Sequence, residues 1–249
     1  MLLHIYERLL HHYGPQHWWP AQTRFEIIIG AILTQAVTWS NVEKAIANLK
    51  AAQVLDPTAF VALPVDELAY LIRPAGYYNV KARRIQAFVT HLNEHYKCDL
   101  EALLSKEVQA LRNELISIYG IGRETADSII LYAAGQPVFV VDAYTRRLFS
   151  RLDLVSTPSA TLRTSDTDYA NLQAIFQDNL PSQVSLLQEY HALIVQHGKS
   201  LCSKRPLCTD CPLSSMCGFA QSRTSQFLNT QAEPIKTCHY STTIPTPKT

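Results

Sequence analysis

The chain has little net charge, no long apolar run and almost no strand-forming sequence, and each shortage narrows what it can do. Over 249 residues, 22 lysines and arginines nearly balance 21 aspartates and glutamates, leaving a formal charge of +1. A basic domain is the usual electrostatic footprint of nucleic-acid binding, so any DNA contact must be local, made by a few basic side chains and by backbone amides. No hydrophobic stretch approaches the roughly 20 residues that cross a bilayer. The opening MLLHIYERLLHHYG has no positive leader and no small-residue cleavage site, and reads as a first amphipathic helix instead of a signal peptide. A cytoplasmic protein without membrane contact is expected. Internal repeats are absent too.

What remains is an ordinary globular composition, 47% hydrophobic and 17% charged, long enough to bury a real core. Helix signals dominate. Thr23 followed by Glu26 makes a capping box ahead of FEIIIGAIL, and Asp56-Pro57 pairs an N-cap with a first-turn proline. Val42, Ile46 and Leu49 recur at helical spacing, as do Ile85, Phe88 and Leu92. The strongest β-like run, Val138 to Val141, is short enough to be a buried connection. From Gln221 to Thr249 the chain turns rich in Thr, Ser, Pro and Gln, a composition that does not offset its ordering entropy, so a disordered tail is expected.

Cysteine is scarce but clumped. Of six, Cys202, Cys208, Cys211 and Cys217 follow C-x5-C-x2-C-x5-C, while Cys98 and Cys238 stand alone. Four thiolates at that spacing wrap one compact centre, either a zinc site or a [4Fe-4S] cluster, and spacing alone does not choose.

The segment from Ile116 to Leu148 carries the most chemistry. One helix ends, Gly120-Ile121-Gly122 turns, and Arg123 opens another helix whose apolar face holds Ala126, Ile129 and Ile130. Amides at such a helix start point outward and attract a phosphate. Asp142 follows four apolar residues, where it is either a plain N-cap or a carboxylate with chemical work to do. Glu124 sits in the first turn, a position the helix dipole favours for an acid.

This constellation, h-G-h-G, then Gly135-Gln136-Pro137, then VFVVD, resembles the helix-hairpin-helix/Gly-Pro-Asp superfamily of DNA glycosylases, the endonuclease III group. The resemblance runs from about Phe25 to Cys217 and extends to FEIIIGAILTQ, GYYNVKA and HGKSLC. It implies an all-α, two-lobed fold. One lobe of six helices would span 22–134, with the hairpin at about 112–132; the second would join 1–21 to 135–220. It also implies that Asp142 is the catalytic carboxylate, that Cys202, Cys208, Cys211 and Cys217 hold a [4Fe-4S] cluster, and that double-stranded DNA with a damaged base binds a monomer. Gly120, Gly122, Arg123, Thr125, Lys204 and Arg205 would meet the DNA. The family has one residue more between the first two cysteines.

Bifunctional members carry a lysine where this chain has Glu124, and only an amine forms a Schiff base with the sugar. The resemblance therefore implies a glycosylase that hydrolyses with water and lacks strand-cleaving lyase activity. HWWPAQ, LTQAVTW and the glutamate look most like the 3-methyladenine DNA glycosylase III branch. By that likeness Trp18 and Trp39 sandwich the flipped base, Pro20 lines a pocket poor in polar groups, and Gln35, Tyr77 and Tyr144 are the wedge candidates that fill the duplex. The expected substrate is an alkylated purine such as 3-methyladenine. A pyrimidine or mismatch glycosylase, and a catalytically silent cluster-bearing DNA-binding protein, are the rivals.

Overall fold

The computed structural model describes residues 1–154 and 166–222. Twelve α-helices run through them: α1 (Leu2–Tyr13), α2 (Arg24–Leu33), α3 (Trp39–Ala51), α4 (Pro57–Ala62), α5 (Val65–Leu71), α6 (Tyr78–Tyr96), α7 (Leu100–Leu104), α8 (Val108–Ser117), α9 (Arg123–Ser128), α10 (Ala143–Arg151), α11 (Asp166–Asn179) and α12 (Val184–Ser200). No strand occurs among the described residues, so the fold is all-α. Residues 22–134 hold eight of these helices instead of six: breaks at Asp56, Pro64 and Asp99 set off the short α4, α5 and α7, and α9 ends after six residues by passing into a π-helical turn, Ile129–Ala133. No helix of the described residues is long and apolar enough to cross a membrane. Of the expected tail, residues 221 and 222 are helical, and 223–249 lie outside the described residues.

Side-chain caps start the helices where the sequence places them. Thr23 Oγ1 accepts from Glu26 N at 3.1 Å, and Asp56 accepts from Thr58 N and Ala59 N with Pro57 in the first turn. Glu26 reaches one residue further back than a capping box requires, accepting from Gln22 N at 2.9 Å, and its other oxygen meets Lys50 of α3 at 2.7 Å.

The core forms around α6, whose Ile85, Phe88, Val89 and Leu92 are fully buried against α4, α5 and α2. Lys81, within GYYNVKA, is buried there as well, at 1% exposure. Its ammonium donates to Leu33 O at 2.8 Å and Ala75 O at 2.7 Å, closing the carbonyl ends of two helical segments. The first helix and the last described segments meet: α1 packs on α12, Tyr190 donates to Leu2 O at 2.9 Å, and Arg8 donates to Pro212 O at 2.7 Å.

Val138 to Val141 is the buried connection its length suggests, and side chains of α11 do the work of a partner strand. Gln173 donates to Phe139 O at 2.6 Å, and Val141 N donates to the Tyr169 hydroxyl at 3.3 Å. Both side chains also donate to Asp127 Oδ2, at 2.6 and 2.8 Å, while Arg112 Nε donates to Oδ1 at 2.6 Å. Phe139 stacks on Phe176 with centroids 3.8 Å apart. Side-chain bonds to the backbone of Phe139 and Val141 help this extended segment lie in the core without a partner strand. That segment ends at Asp142.

Candidate active site and DNA interface

The hairpin turns between α8 and α9, with Ile118 and Ile121 packed inward. Gly120 has φ +84°, and a Cβ there would run into the Arg84 side chain. Gly122 differs: its φ is −88°, and a Cβ would meet nothing of the protein. The first glycine is required by the turn; the second keeps the outer face clear. Gln35 Nε2 donates to Gly120 O at 3.1 Å and to Thr125 Oγ1 at 3.0 Å, and its Oε1 accepts from Arg84. Thr125 is only 8% exposed. Gln35 and Thr125 thus hold the hairpin from within, where the sequence reading placed a wedge and a DNA contact. Arg123 lies with its guanidinium 5.1 Å from the centre of the Tyr169 ring.

Beside the hairpin opens a cavity of about 220 Å³ that gathers Trp18, Trp39, Glu124 and Asp142, residues spread over more than half the sequence. Asp142 is both cap and pocket group. Its Oδ1 accepts from Thr145 N at 2.7 Å and Thr145 Oγ1 at 2.9 Å, which starts α10, while Oδ2 lies 3.7 Å from His191 Nε2, an ion-pair distance and no hydrogen bond. Burial alone would raise the Asp142 pKa; His191 and the two Thr145 bonds outweigh it and hold the carboxyl below its ordinary value. His191 is itself oriented through Nδ1, 2.8 Å from the Tyr132 hydroxyl.

Glu124 stands at the pocket rim. Partial burial first, and the charge of Asp142 second, push its pKa up to about 7, against the pull of Arg146 and His191. Arg146 lies 3.5 Å away, and 52% of the Glu124 side chain remains exposed, so solvent screening limits that rise. The wall opposite is one face of α12, with His191, Ala192, Val195, Gln196 and Lys199 all lining the cavity. The pocket is therefore more polar than the sequence reading expected. His191 and Lys199 were given no role there, although Lys199 falls within HGKSLC; that motif and the helical spacing of HALIVQHGK toward one face were the available signals.

The tryptophans do not stand apart as a sandwich. Trp18 and Trp39 touch edge to face with centroids 4.4 Å apart, and Trp19 closes the cluster at 4.9 and 5.4 Å from them. Apolar rings facing water bury one another when no base lies between. Pro20 does not line the Asp142 cavity; with Trp19 and Trp39 it lines a neighbouring one. Tyr144 is a cavity wall: it packs so close to Gly198 of α12 that a Cβ there would overlap its ring, and Arg147 lies 5.1 Å from the ring centre. Tyr77, 75% exposed and in left-handed conformation with φ +45°, is the wedge candidate that projects into solvent.

All four clustered cysteines face a single cavity walled by Leu148, Leu152, Leu201 and Leu213. Burial pushes the Cys211 thiol up to about 11, with the neighbouring sulfurs of Cys202, Cys217 and Cys208 adding to the rise, and burial raises the Cys217 thiol as well. Donors already point at the sulfurs: Arg151 Nη1 lies 3.1 Å from Cys202 Sγ, and Leu213 N lies 3.4 Å from Cys211 Sγ. Among the described residues no three His, Cys, Asp or Glu side chains converge on a point fit for one metal ion. Lys204 and Arg205 are exposed on the loop between the first two cysteines.

A glycine hairpin between helices beside a buried carboxylate in an aromatic pocket defines a class, the DNA glycosylases of base-excision repair. The chain belongs to it: residues 29–167 match the HhH-GPD superfamily base excision DNA repair protein family. It is 46% identical over 218 residues to a Methanocaldococcus jannaschii protein named as a candidate DNA repair glycosylase, covering 87% of this chain and 96% of that one. Endonuclease III of Bacillus subtilis is 28% identical over 200 residues, 80% of this chain and 83% of that protein. Among solved structures, an endonuclease III–DNA complex shares the fold with a TM-score of 0.73 at 23% identity, over 90% of this chain and 97% of that one. The Helicobacter pylori 3-methyladenine DNA glycosylase bound to 1,N6-ethenoadenine superposes with a TM-score of 0.63 at 25% identity, over 80% of this chain and 97% of that one.

Proposed function

We propose that this DNA glycosylase hydrolyses the N-glycosidic bond of a flipped alkylated purine, such as 3-methyladenine, with Asp142 as the catalytic carboxylate. The carrying observation is the division of labour within one side chain that lines the tryptophan-walled pocket: Oδ1 is fixed by Thr145, while Oδ2 lies 3.7 Å from His191, which lines the same pocket. As the base departs, positive charge grows on the sugar, and a fixed ionised carboxylate beside it lowers the barrier and orients the attacking water. A base carrying ring charge is a good leaving group and gains cation–π attraction from the tryptophans, of about 0.5–2 kcal/mol. Trp18 and Trp39 must part, or offer one face, to receive it.

Double-stranded DNA would lie across the hairpin and the cysteine loop, with a phosphate at the clear face of Gly120 to Arg123 and others at Lys204 and Arg205. The hairpin segment and the cluster segment then belong to the two lobes set out from the sequence, in a monomeric, nucleoid-associated protein. Cys202, Cys208, Cys211 and Cys217 would hold a [4Fe-4S] cluster, a centre larger than one ion and suited to four sulfurs around a shared cavity. Held there, a cluster would supply structure and no reacting group, with the four cysteines joining their loop to residues of α10 that line the same cavity.

With Glu124 in the hairpin, base release is not a displacement by a hairpin amine, and strand breakage is not coupled to it. The relatives named endonuclease III favour a second reading, a pyrimidine or mismatch glycosylase. Duplexes carrying alkylated, oxidised, deaminated or mismatched bases separate these readings when free base and nicks are scored independently. Alkylpurine released ahead of any nick supports the proposal. Nicks appearing in step with free base refute uncoupled hydrolysis, and tight binding with no release refutes catalysis.

A further inference from the structure

We propose that His191 is the general base of the hydrolysis: its Nε2 and Asp142 Oδ2 together hold the attacking water, and Nε2 takes the proton that the water loses. The proposal deepens the glycosylase reading above and rests on it, since the water needs a sugar cation to attack.

His191 is buried, at 7% exposure, and lines the Asp142 cavity from α12. Its Nε2 is enclosed, has no hydrogen-bond partner among the described residues, and lies 3.7 Å from Asp142 Oδ2. The other side of the ring decides which nitrogen carries the hydrogen. The Tyr132 hydroxyl lies 2.8 Å from His191 Nδ1 and 3.1 Å from Gln188 O. Burial raises the Tyr132 pKa well above its ordinary value, so the hydroxyl keeps its single hydrogen. A carbonyl only accepts, so that hydrogen goes to Gln188 O, and both contacts are hydrogen bonds only when Nδ1–H donates to the tyrosine oxygen. In the neutral ring the lone pair is then on Nε2, beside a carboxylate oxygen that also only accepts.

At 3.7 Å these two acceptors are too far apart for a direct hydrogen bond, yet close enough for one water oxygen to lie about 2.8 Å from both. Such a water donates one hydrogen to each and leaves its lone pairs for the sugar. The Asp142 carboxyl, held below its ordinary pKa, stays ionised and supplies the charge, while the imidazole supplies the base. The step balances without redox change. The N-glycosidic bonding pair leaves with the nucleobase, a water lone pair forms the O–C1′ bond, and an O–H pair returns to oxygen as its proton moves to Nε2. The imidazolium then gives that proton to solvent. Until water bonds to C1′ the departed nucleobase can recombine with the sugar, so proton removal counts in the observed rate.

The test is single-turnover base release against pH, using the full chain and the lesion duplex on which the parent is most active. The titratable groups around His191 are Asp142 and Tyr144 at the start of α10, Tyr132 of the π-helical turn, Glu124 of α9 and, on α12 itself, Lys199. A base acts unprotonated, so the rate should rise between about pH 5 and 8. It should keep that rise in Glu124→Gln, which removes the other group titrating near 7. His191→Gln retains a polar group of similar reach that takes no proton, and His191→Asn retains a donor for Tyr132. Both should lose the rise and release base about a hundredfold more slowly at the top of that range, with melting temperature and duplex binding close to the parent. A rate that falls with pH would make the imidazolium paired with Asp142 the active form and overturn the base role. A loss of less than about tenfold in either folded variant overturns it too. A parent that releases no base from any lesion removes the glycosylase reading and this proposal together; an active parent with parent-like His191 variants removes this proposal alone.

Discussion

Replacing Asp142 by asparagine removes one negative charge from the pocket while leaving the cap of α10 nearly intact. The two bonds that Oδ1 accepts, from Thr145 N at 2.7 Å and Thr145 Oγ1 at 2.9 Å, are as available to an amide oxygen as to a carboxylate, and Asn caps helices about as well as Asp. What disappears is the attraction between a carboxylate and the sugar cation. At about 4 Å and an effective dielectric of about 20 this is roughly 4 kcal/mol, or about a thousandfold in rate. Asp142→Ala would lose the same charge and the cap as well, costing stability by about 1–3 kcal/mol as Thr145 N is left unpaired in the interior. Single-turnover release of base from an alkylated duplex, equilibrium DNA binding and urea unfolding separate the two effects. Asp142→Asn should be catalytically silent, bind DNA and melt close to the parent; Asp142→Ala should be silent and less stable. Release by Asp142→Asn within tenfold of the parent would refute the electrostatic role, and equal stability of the two variants would refute the cap.

The two hairpin glycines should respond differently. Gly120→Ala meets a left-handed φ and the Arg84 side chain, costing about 1–2 kcal/mol, whereas Gly122→Ala should unfold within about 0.5 kcal/mol of the parent yet bind duplex more weakly. Identical behaviour in unfolding and anisotropy titrations would contradict that division. Trp39→Ala, which removes one ring of the tryptophan cluster, should lower kcat/KM for an alkylpurine about tenfold or more through lost stacking; parent-like kcat/KM would remove the cluster from the base site. Glu114 gives a pH signature: burial would raise its pKa, but Lys106, Tyr96 and His91 overcome this and lower it to about 2. A depressed carboxyl stabilises the fold above its unfolded pKa and loses that stabilisation as pH falls from about 4.5 toward 2. Glu114→Gln should therefore flatten the acid limb of the stability curve by roughly 1–2 kcal/mol after screening; an unchanged limb would show the cluster contributes nothing.

Much of this site was legible as sequence because its defining features are local. A cap needs one residue before a helix, so Thr23, Asp56 and Asp142 declared themselves; a tight turn needs a residue free to take positive φ, so Gly120 did too. Four cysteines within sixteen positions announce a shared centre for the same reason. Lys81 shows the limit of a motif: GYYNVKA supported the family, but only the packed structure shows its lysine bonded to Leu33 O and Ala75 O as an internal clip.

Tertiary structure decided what depends on residues far apart in the chain. Val138 to Val141 was legible as a buried connection, but what satisfies its backbone was not: Gln173 and Tyr169 come from α11, 34 and 28 residues further along. Gln35 and Thr125 each looked free to meet DNA; 90 residues apart, they satisfy one another. Trp18 and Trp39 were expected on opposite sides of a base, and the same hydrophobicity that suits them to stacking brings them together without one. His191 and Lys199 entered the pocket only because α12 packs against α10 and the π-helical turn (Ile129–Ala133) that follows α9. Helical periodicity and turn geometry act over a few residues and can be read in order along the chain; which helix face meets which cavity follows from burying the whole apolar surface at once, and that is settled only in the folded protein.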